Sequence, residues 1–190
     1  MKLVLFALAF AVALAFTAVA NSYYVFIMAM LALTALAGIG LNVLLGLTGQ
    51  VSFGHVGFYA LGAYAVAVLE VGAKWNFWAA LPVAALLAGA TGALLALPAM
   101  RVRGPYLAMV TIAFGFVVEN LAVEWRGVTG GQNGIMGVPQ PSLFGFALGE
   151  RGVAIAAIVL AAAGTWGFHL LAKSRLGAAM RAVKDSEIAA

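Results

Sequence analysis

The chain has 190 residues, 65% of them hydrophobic and 8% charged, with a formal charge of +4 and no cysteine. Soluble domains carry roughly a quarter charged residues, so this composition excludes a water-soluble fold and requires an integral membrane protein. The basic excess does not point to nucleic acid, because the basic residues cluster at the ends of apolar spans, as the positive-inside bias demands. The absence of cysteine excludes disulfides, thiolate nucleophiles and cysteine-ligated metals.

The first apolar run, Leu3–Ala20, follows Lys2. With Ala18-Val19-Ala20 at its end it has the outline of a signal peptide. Its length suits a membrane span of about 20 residues better than a signal core of about 7–15, and a second apolar run follows at once. An uncleaved first helix is expected. Asn21-Ser22-Tyr23-Tyr24 reads as a short turn, and span two covers about Val25–Leu45. A Gly-rich break follows, from which span three continues to about Leu69. Glu70, Lys74, Trp75, Phe77 and Trp78 mark the next membrane surface. Span four is about Phe77–Met100, and span five runs from about Tyr106 to Val123 after the basic turn Arg101–Pro105. The segment 124–151 is hydrophilic and Gly-rich, holds Pro139 and Pro141, and shows no helical period. Span six is about Gly152–Ala172, and 173–190 is the most charged part of the chain.

The expected fold is therefore an all-α, polytopic transmembrane helical bundle of about six spans. One span is broken by a Gly-rich segment, and an amphipathic helix follows the last. Six spans return the tail to the side of Met1. Seven of the ten basic residues lie on that side: Lys2, Arg101, Arg103, Lys173, Arg175, Arg181 and Lys184. Three, Lys74, Arg126 and Arg151, lie opposite. The positive-inside rule then puts both ends in the cytoplasm and the 124–151 loop outside. Small residues in Gly38-Ile39-Gly40 and Gly89–Ala93 are expected to permit close helix contact.

The stretch Gly46–Tyr64, GLTGQVSFGHVGFYALGAY, organises the rest. No charged side chain occurs from Leu3 to Leu69, yet Thr48, Gln50, Ser52, His55 and glycines 46, 49, 54, 57 and 62 gather here. Loosened backbone at membrane depth is tolerated where protein or a water-filled cavity satisfies it, and broken helices form transporter sites. A polar turn at the membrane surface is the competing reading. His55 either donates to a polar substrate or packs as a satisfied structural residue. His169 is explained by its place near the end of span six. Glu119 is the acid expected inside the membrane, where carboxylates usually face a cavity or a partner; snorkelling toward the interface competes.

Enzymatic chemistry has little support. The sequence holds neither HExxH nor GxSxG, and no acid pair sits at catalytic spacing within a span. The run Gly167–Ser174 lacks the second glycine of a phosphate-binding loop and the preceding strand. No metal site and no cofactor are expected. The tail Ser174–Ala190 reads as a short amphipathic helix with Leu176, Met180 and Val183 on one face. It either lies on lipid or docks into a cytoplasmic protein.

Four stretches carry a family resemblance: Gly40-Leu41-Asn42 to Tyr64; Arg101–Ala108, RVRGPYLA; Thr129–Ile135, TGGQNGI; and Leu176-Gly177 to Ala190. In this order and spacing the chain resembles the permease subunits of bacterial ATP-binding-cassette importers for branched-chain amino acids, of the LivM type. Two positions depart from the pattern. Gln132 stands where proline is common, and Phe116 stands where the family often carries an acid, the nearest being Glu119 one turn later.

The resemblance implies a single permease domain over 1–190 that forms half of a translocation pathway. The implied partners are a second homologous permease subunit, two cytoplasmic ATP-binding subunits, an external solute-binding protein and the lipid bilayer. The pathway residues are then Asn42, Thr48, Gln50, Ser52, His55, Tyr59 and Glu119. The external loop motif is Thr129, Gly130, Gly131, Asn133 and Gly134. Coupling to the ATPase falls to 173–190 through Arg175, Gly177, Arg181, Asp185 and Glu187. It also implies further helices beyond Ala190, so the chain is expected to be C-terminally truncated. Two alternatives stand beside this reading: an ion-coupled secondary transporter using Glu119, and a membrane protein that only scaffolds a complex.

Overall fold

A computed structural model describes residues 2–102, 105–143 and 146–185. Helix α1 spans Lys2–Val19 and α2 spans Ser22–Asn42, continuing as a π-turn over Val43–Thr48. Helices α3 (His55–Val71), α4 (Phe77–Ala99) and α5 (Pro105–Glu124) follow. A four-residue helix α6 (Arg126–Thr129), a 3-10 turn (Gly131–Asn133) and two-residue strands Ser142–Leu143 and Phe146–Ala147 come next. Helices α7 (Glu150–Lys173) and α8 (Arg175–Asp185) complete the described chain. The architecture is the expected all-α membrane bundle.

Among the described residues, four helices are long and apolar enough to cross a membrane: Ser22–Thr48, Phe77–Ala99, Tyr106–Glu124 and Glu150–Lys173. Phe6–Val19 and His55–Val71 are shorter apolar helices. At 17 residues, α3 reaches about 25 Å, against a hydrocarbon core of about 30 Å. Four of the six expected spans thus meet the length of a crossing by themselves.

Caps explain the boundaries. Asn21 accepts from the Tyr24 amide at 3.2 Å and starts α2, so the expected Asn21–Tyr24 turn shrinks to two residues and the tyrosines join the first helical turn. Asn76 accepts from the Trp78 amide at 2.9 Å and starts α4. The 124–151 segment is more ordered than its lack of period implies. Its α6 is closed by Gly130 at φ 75°, a left-handed position that glycine takes at no steric cost.

The chain divides into two compact units, Met1–Gly49 with Phe146–Ala190, and Gln50–Gly145. In the first, α2 packs on α7 through small side chains. Val25 and Ala29 meet Ala154, while Ala32 meets Ala157 and Ile158. Leu36 lies against Gly164, where a Cβ would have to displace it. Thr17 is fully buried and donates to the Ala13 carbonyl at 2.8 Å. In the second unit, Ala80, Ala84, Thr111 and Val118 are buried. The Trp78 indole donates to the Ser142 carbonyl at 2.8 Å, tying the loop to the start of α4.

The glycines marked for close packing behave differently from expectation. Gly38 and Gly89 face open space, whereas Gly92 meets Phe58 at 3.6 Å. The alanines of α2 and α7 do that work instead, as small residues allow in lipid. Large apolar side chains such as Leu8, Val12, Leu86, Leu94 and Met109 are exposed. That outer surface suits hydrocarbon rather than water.

Candidate functional site

In the first unit the break begins as a widened helical turn. Such π-turns leave the regular i→i−4 ladder and recur at functional sites. The Thr48 hydroxyl donates to the Leu44 carbonyl at 2.6 Å. Gly49, at φ 70°, closes the turn by donating its amide to the same carbonyl. Asn42 is exposed, and its Oδ1 occupies the space that a Cβ at Gly46 would need. From α8, the Lys184 ammonium donates to the Gly46 carbonyl at 3.2 Å.

In the second unit the irregular part of the break is Gln50–Gly54, with Gln50 exposed and Ser52 half-buried. The Phe53 amide donates to the Thr111 hydroxyl at 3.1 Å, so α5 supplies the acceptor that the loosened backbone lacks. Gly54 and Gly57 are buried against α5. A Cβ would sit 3.0 Å from the Thr111 carbonyl oxygen at Gly54, and 2.8 Å from Cε1 of Phe114 at Gly57. Glycine is needed at both for the close approach of α3 to α5. The His55 ring is half-buried and 6.4 Å from that of Phe58, and its Nδ1 is buried without a hydrogen-bond partner among the described residues.

Between α3 and α5 lies a groove of about 470 Å³, lined by Phe53, Val56, Gly57, Tyr64, Phe116 and Glu119 among others. Its lining is apolar apart from the Tyr64 hydroxyl and the Glu119 carboxylate. Of the expected pathway residues the groove gathers Glu119 alone. Tyr59 is 57% exposed on another face of α3. Gln50, Ser52 and His55 stand near the start of α3 outside the groove lining, and Asn42 and Thr48 belong to the first unit. Tyr64 and Phe53 were not singled out in the sequence, and Phe116 only as the position where the family often carries an acid. Their signal is the helical stripe Val56, Ala60, Tyr64 facing Phe116, Glu119, Val123. A buried acid was also missed: Glu70, taken as a surface marker, is 6% exposed at the end of α3.

The TGGQNG segment is a tight structure built on absent side chains. The Thr129 hydroxyl is buried. It donates to the Ala122 carbonyl at 2.6 Å, has the Trp125 carbonyl oxygen 2.9 Å away, and accepts from the Gly131 amide at 3.2 Å. Gly130, Gly131 and Gly134 all have positive φ, and a Cβ at Gly130 would overlap the Gly134 carbonyl. Gln132 and Asn133 are exposed.

Helix α8 is seated by one face. The Ser174 hydroxyl accepts from the Gly177 amide at 3.2 Å and starts the helix. Gly177 is buried against Leu171 and Ala172, and Arg181 donates to the Ala172 carbonyl at 2.6 Å. Lys184 reaches Gly46 from the same face. The apolar stripe lies beside this face: Leu176 is 67% and Val183 37% exposed, with Met180 half-buried. Arg175 is exposed, Asp185 is the last residue of α8, and Glu187 lies outside the described residues.

Residues 23–190 match the family described as branched-chain amino acid transport system / permease component. Over 108 residues the chain is 49% identical to the high-affinity branched-chain amino acid transport system permease protein LivM of Escherichia coli (strain K12). It is 48% identical over the same length to the LivM protein of Salmonella typhimurium (strain LT2). Each match covers 57% of this chain and 25% of the relative. No solved structure matches the chain. Apolar helices of crossing length and a family match over most of the sequence lead to one conclusion: this multi-pass membrane protein belongs to the permease-component family of branched-chain amino acid transport systems.

Proposed function

We propose that the chain forms half of the translocation pathway of an ATP-driven importer for branched-chain or related small amino acids. The observation that carries this reading is the family match over residues 23–190. The chain itself performs no catalysis in this reading; ATP hydrolysis resides in two cytoplasmic ATP-binding subunits. A second homologous permease and an external solute-binding protein complete the set. The protein sits in the bacterial inner membrane, with both termini of this chain in the cytoplasm and 124–151 outside.

Within the pathway, the break supplies polar groups at Thr48, Gln50, Ser52 and His55, and the groove supplies Glu119. An acid in an apolar groove is costly unless it meets a partner, and the ammonium group of an amino acid is such a partner. Asn42 and Tyr59 are the further pathway residues in this reading. The TGGQNG loop, with Thr129, Gly130, Gly131, Asn133 and Gly134, offers the external protein a rigid surface. On the cytoplasmic side, α8 offers the ATP-binding subunits its exposed stripe, Leu176 and Val183, with Arg175 and Arg181 as charged contacts, Gly177 seating the helix, and the acids Asp185 and Glu187 following in sequence.

The test is uptake of radiolabelled leucine by cells that express this chain with its partner subunits and lack other leucine importers. Uptake should survive collapse of ion gradients by an ionophore and stop on ATP depletion. Glu119→Gln should reduce it at least tenfold, with Glu119→Asp retaining part. Uptake that stops with the ionophore while ATP is maintained would establish the ion-coupled alternative, for which Glu119 in its apolar groove is the candidate coupling group.

A further inference from the structure

Lys184 and Gly46 are 138 residues apart, yet one hydrogen bond joins them. Gly46 sits within the last turns of the α2 helix, whose final carbonyls have no acceptor role within the helix. A cation at such a terminus is doubly favoured, by the charge-assisted bond and by the helix dipole. The stem of Lys184 is also in place. Its Cγ lies 3.0 Å from where a Cβ of Gly49 would stand, so the left-handed glycine that closes the π-turn leaves the passage through which the side chain reaches Gly46. Helix α8 also packs along Val43–Thr48, and it is fixed on the end of α7 through Gly177 and Arg181.

We propose that Lys184 is a positioning residue: a strut that ties surface helix α8 to the π-turn at the start of the break, so that displacement of α8 loosens Gly46–Gly49. This deepens the importer reading and rests on it for its purpose. A pull on α8 by an ATP-binding subunit would reach the break through this side chain together with the packing of α8 on the π-turn.

The experiment uses hydrogen exchange read by mass spectrometry on peptides covering residues 43–49 and 176–183, with the protein in lipid nanodiscs. Lys184→Met keeps the apolar stem and removes the donor. It should speed exchange over 43–49 by about two- to fivefold, the range set by losing a cation at a helix C-terminus, and leave 176–183 unchanged. Lys184→Arg should restore the wild-type rate. Ala179→Pro, which breaks α8 itself, should speed exchange over 43–49 by at least as much. Combining it with Lys184→Met should add nothing further, because the strut needs an intact α8. Unchanged exchange over 43–49 in Lys184→Met, or additive effects in the double variant, would overturn the strut. In the assembled transporter, Lys184→Met should lower solute imported per ATP hydrolysed while ATP hydrolysis continues, with rescue by Lys184→Arg. An unchanged import ratio would overturn the coupling role. If the wild-type assembly imports nothing, the importer reading fails while the exchange arm still decides the strut.

Discussion

Phe53 and Thr111, 58 residues apart, are joined by a hydrogen bond of 3.1 Å in which the backbone amide of the break donates to the hydroxyl of a helix. The same hydroxyl donates to the Ala108 carbonyl at 2.9 Å, so its proton is already committed and its lone pair faces Phe53. The broken backbone is thereby satisfied from within its own unit.

Replacing that hydroxyl should be costly out of proportion to its size. Thr111→Val keeps the shape and strands the Phe53 amide, which costs about 1–3 kcal/mol when a buried donor loses its partner. A thermal unfolding series in detergent should show the loss for Thr111→Val and near-native stability for Thr111→Ser. Equal midpoints for all three proteins would refute the assignment.

The glycines of α3 divide into two kinds. At Gly57 a Cβ would stand 2.8 Å from the Phe114 ring, which itself packs on Phe58 with centroids 4.7 Å apart, whereas at Gly62 nothing lies within 4 Å. Gly57→Ala should destabilise by about 1–3 kcal/mol through overpacking. Gly62→Ala should be neutral or stabilising by up to about 1 kcal/mol, because alanine favours helix. The pair is compared in one melting experiment, and the reverse order would contradict the α3–α5 packing.

Gly130→Ala should unmake the TGGQNG turn. A left-handed alanine costs about 1–2 kcal/mol, and the new Cβ also meets the Gly134 carbonyl. Limited proteolysis should cut the variant within 126–140 at least several times faster than the wild type. Gln132→Ala, an exposed change in the same loop, should cut at the wild-type rate.

Orientation is open to direct labelling because the chain has no cysteine. Gln140 and Ala178 are both exposed. An impermeant maleimide applied to intact cells should modify Gln140→Cys and leave Ala178→Cys untouched until the membrane is permeabilised. Modification of Ala178→Cys alone would invert the topology.

Much of this architecture is legible in the sequence, for a simple reason. Membrane helices are written in long apolar runs, and the caps at Asn21 and Asn76 then fix where α2 and α4 begin. The glycines of the break are legible too, since five of them within 17 residues have no use in an ordinary span. The groove is not, because Tyr64 and Glu119 come to line one groove only through the way α3 lies on α5, and no local pattern records that. The seating of α8 is not legible for a related reason. Its apolar stripe points to lipid or to a partner protein, and says nothing of the backbone carbonyls at Ala172 and Gly46 that draw Arg181 and Lys184 inward. Charged donors find orphan acceptors at helix ends, and hydropathy does not see acceptors.

The π-turn at Val43–Thr48 has a consequence for how such a break arises. A helix containing a π-turn is an ordinary helix with one residue too many, accommodated by a local bulge. Its origin then requires only a single-codon insertion, with no change in the chemistry of the residues on either side. Everything downstream is rotated by about 100° about the helix axis, which presents Thr48 and Gly49 in directions an unbroken helix would deny them. Deleting one residue between Val43 and Thr48 should return the end of α2 to an ordinary α-helical turn.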